Sequence, residues 1–246
     1  MTGASGALLA ADIKVGDHPT THFLGLTFNV DTMYTTLIAA ALTLGFLAFV
    51  AAKATSAVPN KVQVVTELVI NQTRAYIEDA VGHDVPAWLV PLGVCLFFFI
   101  LFCNWLGWFP SGHSPERLAP PTSDVNTVYA MTFTVVLLYT YLGIKRKGAR
   151  YVGDWFTVKP AIRRPILLLE QIVNPLSLSL RLFGNIFAGG IMLAVIALLP
   201  FYLFPLYGFA DFGWRLFDSG LIAPIQAFIY SFLTILYFGF AVAEEH

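Results

Sequence analysis

The chain has 246 residues and a net charge of −1, and 57 % of its residues are hydrophobic whereas only 12 % are charged. Because soluble domains carry about one-quarter charged residues, this composition indicates a polytopic helical membrane protein. The near-neutral charge also argues against nucleic acid as a partner, since phosphate binding needs clustered Lys and Arg.

The chain begins with a predicted aqueous segment over residues 1–30 and continues as a single membrane domain over residues 31–246. Upright spans are predicted at about residues 35–52, 87–109 and 127–144. Each of these apolar runs is close to the roughly 20 residues that cross a bilayer. Residues 60–82 interleave apolar and charged side chains at helical spacing. This pattern predicts an amphipathic helix at the membrane interface.

Asp124 stands immediately before the third span. An aspartate at this place is typical of a helix N-cap, which is the simpler interpretation. A role as a group through which protons enter the membrane is the alternative, and the sequence leaves both open.

Basic residues cluster on two connections, at Lys53 and Lys61 and again at Lys145, Arg146 and Lys147. An excess of Lys and Arg marks cytoplasmic loops. We therefore expect a multi-pass protein with its N-terminus outside and its C-terminus in the cytoplasm.

Two long helical segments follow, at about residues 165–204 and 216–243. Forty residues of helix reach about 60 Å, twice the roughly 30 Å of hydrocarbon in a bilayer. Either the helices are interrupted, with Pro175 and Pro224 as candidate kinks, or they are steeply tilted.

The first long segment places one arginine, Arg181, in an otherwise apolar run. A cation in the bilayer centre costs roughly 2.5–3.5 kcal/mol, which indicates a function or a buried ion pair. On an ideal helix one polar stripe, within about 40° of a line, collects five residues. They are Glu170, Asn174, Ser177, Arg181 and Asn185. A direct Glu170–Arg181 salt bridge is excluded in a straight helix, because eleven positions span about 16 Å. A relay role for Glu170 is therefore favoured.

The second long segment carries another polar stripe, formed by Ser219, Gln226, Tyr230 and Tyr237. Gln226 can serve as a hydrogen-bonding contact between helices or as a functional amide, and the spacing does not separate these roles.

The string SLRLFGNIFAGG from Ser179, with Pro175 upstream and Pro224-Ile225-Gln226-Ala227-Phe228-Ile229 downstream, resembles the a subunit of bacterial rotary ATP synthases. The resemblance implies an all-α fold with upright spans, an interfacial amphipathic helix and a steeply tilted C-terminal hairpin. It also implies a bacterial plasma membrane, a ring of rotor proteolipid subunits, peripheral stalk subunits and membrane lipid as partners.

The resemblance further implies that Arg181 separates two proton half-channels and acts on a carboxylate of the rotor ring. Asn185 and Gln226 match the polar residues beside this gate. The other expected channel-lining residues are Glu170, Ser177, Ser219, Asp218, Asp124 and Tyr230. This sequence departs from the family at Gly190, where many members carry an acid or histidine whose counterpart falls near Ser219.

The chain lacks the Gly-x-x-x-x-Gly-Lys-Ser/Thr motif of nucleotide-binding loops, so we expect ATP chemistry on partner chains only. We predict no metal, cofactor or small-molecule substrate, and a proton as the transported ion, although the sequence does not exclude sodium. Two alternative functions stay open. The chain could be a secondary transporter that binds an anion at Arg181, or it could be a structural scaffold in the membrane.

Overall fold

The computed structural model describes residues 20–23, 26–55, 58–81, 86–108, 120–148, 163–197 and 204–242. A short antiparallel hairpin of β1 (Thr20–Phe23) and β2 (Leu26–Asn29) leads into the helices. The helices are α1 (Val30–Lys53), α2 (Lys61–Val81), α3 (Leu89–Leu106), α4 (Val125–Lys147), α5 (Arg163–Ala197), α6 (Phe204–Phe217) and α7 (Ala223–Val242). A 3₁₀ turn, Pro121–Ser123, precedes α4, and a π-helical segment, Asp218–Ile222, joins α6 to α7. The predicted all-α membrane fold is confirmed.

Four helices are long and apolar enough to cross a membrane: Val30–Lys53, Leu89–Leu106, Val125–Lys147 and the continuous Leu206–Gly239. The chain is therefore a multi-pass membrane protein. Their positions relative to the bilayer, including the interfacial place of α2 and the tilt of the last helices, stay predictions.

Helix α7 is the centre of the bundle, because it packs against α2, α3 and α4 and also touches α5. Its fully buried aromatic side chains, Tyr230 and Phe238, belong to the same core as Phe98 on α3 and Leu182 on α5. Helix α1 lies at the periphery, where it packs mainly on α3.

Helix α1 buries several threonines and exposes many of its apolar side chains. Thr35 and Thr43 are buried, and their hydroxyls donate to the carbonyls of Asp31 and Ala39 one turn earlier. Leu37 is among the exposed apolar residues. Because a threonine bonded to its own helix carries no unsatisfied group, small polar residues can form the contact between membrane helices while leucines face lipid.

The close approach of α3 to its neighbours depends on Gly93. A Cβ at this position would lie 2.8 Å from Thr73 Cγ2 on α2 and 3.2 Å from Ile235 Cδ1 on α7. The Ser231 hydroxyl donates to the Gly93 carbonyl at 2.8 Å. Only glycine leaves room for three helices to meet here.

The last helical segment begins earlier than the sequence predicted. It starts at Phe204 rather than near residue 216 and runs through α6, the π-helical segment and α7. Asp211 and Arg215, within this earlier stretch, form an ion pair at 3.1 Å across one helical turn. Pro205 stands in the first turn, where proline is tolerated because its missing N–H has no helical partner.

Candidate functional site

Arg181 lies on a face of α5 that the rest of this chain leaves uncovered. Its neighbours Ser179 and Leu182 are buried in the bundle, whereas Arg181 itself is exposed. Among the residues that the structure describes, no carboxylate forms an ion pair with Arg181. The sequence alternative of a buried structural ion pair is therefore not what the described residues show.

The surroundings of Arg181 are small or aromatic. Gly184 and Ala188, on the same exposed side of α5, leave open space beside the helix. Tyr237 on α7 is the side chain with which Arg181 interacts electrostatically. Arg181 is thus exposed on α5 and close enough to Tyr237 on α7 for its charge to act there.

The second polar stripe is buried. Ser219, Gln226, Tyr230 and Tyr237 are all less than 10 % exposed. The Ser179 hydroxyl on α5 donates to the Thr132 hydroxyl on α4 at 3.1 Å, two residues before Arg181. The hydroxyl of Tyr230 is buried and has no hydrogen-bond partner among the described residues.

Gln226 is 6 % exposed. Within the described residues its amide makes no hydrogen bond, so the interpretation as a contact between helices finds no partner there. Its polar group remains available for another role.

Asp218 faces α5. The half-buried carboxylate lies at the start of the π-helical segment, and its Oδ1 is 3.7 Å from the position that a Cβ on Gly189 would occupy. Gly189 precedes Gly190, the position at which the resemblance led us to expect an acid or histidine. The carboxylate of Asp218 thus lies next to Gly189, one residue before that position.

The π-helical segment has a cause in the sequence. The amide of Ala223 donates to the Asp218 carbonyl, five residues back, and the next residue, Pro224, has no N–H. The Ser219 carbonyl thereby loses its backbone partners. The indole Nε1 of Trp105 on α3 donates to that carbonyl at 2.9 Å. The irregular turn is therefore held by a side chain from another helix.

A second polar group lies where α1, α3 and α4 meet; we call Asn29, Asn104, Thr122 and Asp124 the Asp124 cluster. Asp124 Oδ1 accepts from the Asn126 amide at 2.9 Å, and Oδ2 accepts from Asn29 Nδ2 at 2.6 Å. The Thr122 hydroxyl donates to Asn104 Oδ1 at 3.0 Å. The N-cap interpretation of Asp124 is therefore observed directly, on a carboxylate that is only 7 % exposed.

Asn104 leaves one donor unused. Its Nδ2 is buried and has no hydrogen-bond partner among the described residues. Trp105, which bonds to the Ser219 carbonyl, follows Asn104 on α3, so the Asp124 cluster and the π-helical segment are both tied to the same end of this helix.

For three of the predicted site residues the structure says little about the surroundings of the side chain. Ser177 is half-buried on α5, and Glu170 and Asn185 lie on the same helix with side chains outside the described part of the structure. No group of three potential metal ligands occurs among the described residues. Sequence reasoning missed the partners of the site, namely Trp105, Thr122, Thr132 and Ser179. Only Pro224, whose missing N–H disturbs a helix, signalled the irregular turn.

Comparison with known proteins identifies the family of the chain. The family model described as "ATP synthase A chain" matches residues 33–239. "ATP synthase subunit a" of Acidothermus cellulolyticus is 39 % identical over 237 residues, covering 96 % of this chain and 85 % of the relative. The proteins of the same name from Mycobacterium marinum and Mycobacterium tuberculosis are 42 % and 41 % identical. They cover 97 % of this chain, and 97 % and 98 % of the relatives.

The resemblance carried by the string around Arg181 is confirmed over nearly the whole chain, because the matches extend from α1 to α7. The chain therefore belongs to the ATP synthase A chain family and is a subunit of the membrane sector of ATP synthase.

Proposed function

We propose that this chain forms the two proton half-channels of the ATP synthase stator and that Arg181 separates them. The single observation that carries the proposal is the exposed side chain of Arg181 in the apolar stretch Ser179–Leu193 of α5. A charge there is costly in lipid, so a partner surface with a carboxylate is its natural complement. A rotor ring with one acid per subunit supplies that surface.

The position of Arg181 along α5 supports a separating role. Glu170 precedes it by eleven positions, about 16 Å along a helix, and Gly189 follows by eight positions, about 12 Å. Because Asp218 lies beside Gly189, the two acids flank the arginine on opposite sides. We assign Asp218 to the half-channel that opens outside, and Glu170 and Ser177 to the one that opens to the cytoplasm.

The outer half-channel follows the polar groups already described. It starts at the Asp124 cluster, passes Asn104 and reaches Ser219 and Asp218 at the π-helical segment. The unused Nδ2 donor of Asn104 fits a path that contains water, since a buried donor without a partner costs about 1–3 kcal/mol. Gln226 and Tyr230 continue the polar lining toward α5.

In this proposal Arg181 acts through its positive charge and not by transferring a proton. An arginine side chain is not deprotonated in proteins, so it cannot carry the proton itself. It repels protons and attracts the carboxylate of a rotor subunit that arrives before it, which forces that carboxylate to release its proton to one half-channel. A proton that enters from the other half-channel must then travel with the rotor ring, bound to a rotor carboxylate, before it is released. Asn185 and Gln226 stabilise the charges on either side of this exchange.

The remaining partners follow from the same assignment. Small residues at Gly184 and Ala188 let a rotor helix approach α5 closely. Peripheral stalk subunits hold the chain against the turning ring. Basic residues near the ends of α1 and α4, Lys53 and Lys145 to Lys147, favour a cytoplasmic location for those ends in a bacterial plasma membrane. Membership of the family sets the secondary-transporter alternative aside.

Two-sided thiol labelling tests the half-channels. In a background with Cys95 and Cys103 replaced by Ala, Ser219→Cys and Ser177→Cys are each exposed to a membrane-impermeant thiol reagent. Right-side-out and inverted membrane vesicles of the assembled complex present the two sides. We expect Ser219→Cys to react only from outside and Ser177→Cys only from the cytoplasmic side.

Ser231→Cys is the matched control, because Ser231 is buried on α7 and bonded to the Gly93 carbonyl, away from the proposed path. It should react from neither side. Reaction of Ser219→Cys and Ser177→Cys from the same side would contradict the two half-channels.

A further inference from the structure

A cavity of about 610 Å³ lies between α1, α2 and α3, at the other end of the bundle from the Asp124 cluster. Its walls are mostly apolar and include Leu47 on α1, Ile70 on α2, and Val90 and Val94 on α3. The cavity is half open rather than enclosed, so an occupant can reach it from the membrane. The volume is in the range of small-molecule sites.

Two side chains of opposite charge also line this cavity. Arg74 and Glu78 both contribute to its lining and both are exposed. They are four residues apart on α2, a spacing at which Arg and Glu often pair. Among the described residues, Asp211 and Arg215 form such a pair, but Arg74 and Glu78 do not. Each charge is therefore available to a ligand.

We propose that this cavity binds a phospholipid that carries both a phosphate and a primary ammonium, that is, a phosphatidylethanolamine. The guanidinium of Arg74 holds the phosphate, for which its planar donors are suited. The carboxylate of Glu78 holds the ammonium. The acyl chains lie along Leu47, Ile70, Val90 and Val94, where they cover apolar surface.

The charge pattern selects this lipid over an anionic one. A phosphatidylglycerol also offers a phosphate to Arg74, but it brings no cation to Glu78 and adds negative charge beside a carboxylate. Near Glu78 the phosphate charge of phosphatidylglycerol stays uncompensated, and an uncompensated like charge opposes binding. The head group with both charges is complementary to both residues. This site is independent of the proton path, since none of its residues belongs to that path.

Photo-crosslinking in the assembled ATP synthase tests the proposal. A phosphatidylethanolamine with a diazirine in its acyl chain is exchanged into the purified complex, and the cross-linked peptides are identified by mass spectrometry. We expect cross-links within residues 86–94. Arg74→Gln should lower their yield about tenfold, the loss expected for hydrogen bonds to a charged group.

Lys61→Gln is the matched control, because Lys61 is an exposed cation on the same helix but outside the cavity. It should leave the yield unchanged. Val90→Trp, which fills the cavity with all charges kept, should also remove the cross-links. Unlabelled phosphatidylethanolamine should compete better than phosphatidylglycerol with the same chains.

Three results would overturn the proposal. The first is an equal yield in wild type and Arg74→Gln. The second is equal competition by the two lipids, which shows that the ammonium is not recognised. The third is the absence of lipid cross-links together with cross-links from a benzoylphenylalanine at residue 90 to another subunit, which identifies a polypeptide as the occupant.

Discussion

At the scale of single residues, the proposed site combines a fixed cation with a carboxylate that can bind and release a proton. Arg181 is a permanent cation on an exposed face, whereas Asp218 is a half-buried carboxylate beside Gly189. A carboxylate can accept and release a proton and an arginine cannot. We therefore propose Asp218, rather than its neighbour Ser219, as the residue that exchanges protons at this place.

Asp218→Asn tests this assignment. An amide of the same shape keeps the contact with Gly189 but cannot release a proton, so ATP-driven proton pumping should fall about tenfold or more. Asp211→Asn is the matched control, because this half-buried aspartate pairs with Arg215 and the pair contributes only about 0.3–0.5 kcal/mol. Pumping is measured in inverted vesicles. Equal rates in the two variants would remove Asp218 from the proton path.

At the scale of elements, the π-helical segment sets the direction of Asp218. Pro224 removes one backbone donor, Ala223 bonds to Asp218, and Trp105 satisfies the Ser219 carbonyl from 114 positions away. The sequence predicts a disturbance near Pro224 but not its form, because the bond that stabilises it comes from a different helix. π-Helical turns are frequent at functional sites.

Trp105→Phe removes the indole donor and keeps the aromatic ring. We expect a loss of about 1 kcal/mol in the free energy of unfolding and a fall in proton pumping, since the turn that positions Asp218 is no longer held. Trp88→Phe is the control, because Trp88 is equally exposed at 40 % against 41 % and packs edge-on against Phe238. If both variants pump alike, Trp105 has no positioning role.

At the scale of the whole molecule, the spans could be predicted and their contacts could not. Apolar runs of membrane length define α1, α3 and α4 to within a few residues, because length and composition are local properties. The last helical segment starts at Phe204 instead of near residue 216, in a stretch where Asp211 and Arg215 neutralise each other once the helix has formed.

The contacts that build the site are long-range, which explains why sequence reasoning missed them. Thr132 meets Ser179 across 47 positions, and Asn29 meets Asp124 across 95. Threonine and serine occur throughout membrane helices, where their hydroxyls often donate to the backbone of the same helix, as that of Thr43 does. The residue type alone therefore does not reveal a partner on another helix. The motif around Arg181, in contrast, is contiguous and could be recognised directly.

The close packing of three helices at Gly93 can be tested by adding a methyl group there. Gly93→Ala should destabilise the subunit by about 1–3 kcal/mol, because the added methyl group meets Thr73 and Ile235. Gly45→Ala on α1 meets nothing within 4 Å, so it should be neutral or stabilising by up to about 1 kcal/mol. Unfolding of the detergent-solubilised subunit by SDS measures both. A Gly93→Ala variant as stable as Gly45→Ala would show that α2, α3 and α7 do not meet here.

The central claim, that Arg181 separates the two half-channels, is tested most directly by ATP-driven acidification of inverted vesicles that carry Arg181→Ala in the assembled complex. Leu180→Ala, which truncates the neighbouring exposed side chain, is the control, and copurification of all subunits establishes assembly in both. We predict that pumping by Arg181→Ala falls to background while passive proton leak rises, and that Leu180→Ala pumps like wild type. Pumping near the wild-type rate in assembled Arg181→Ala complexes would contradict the account.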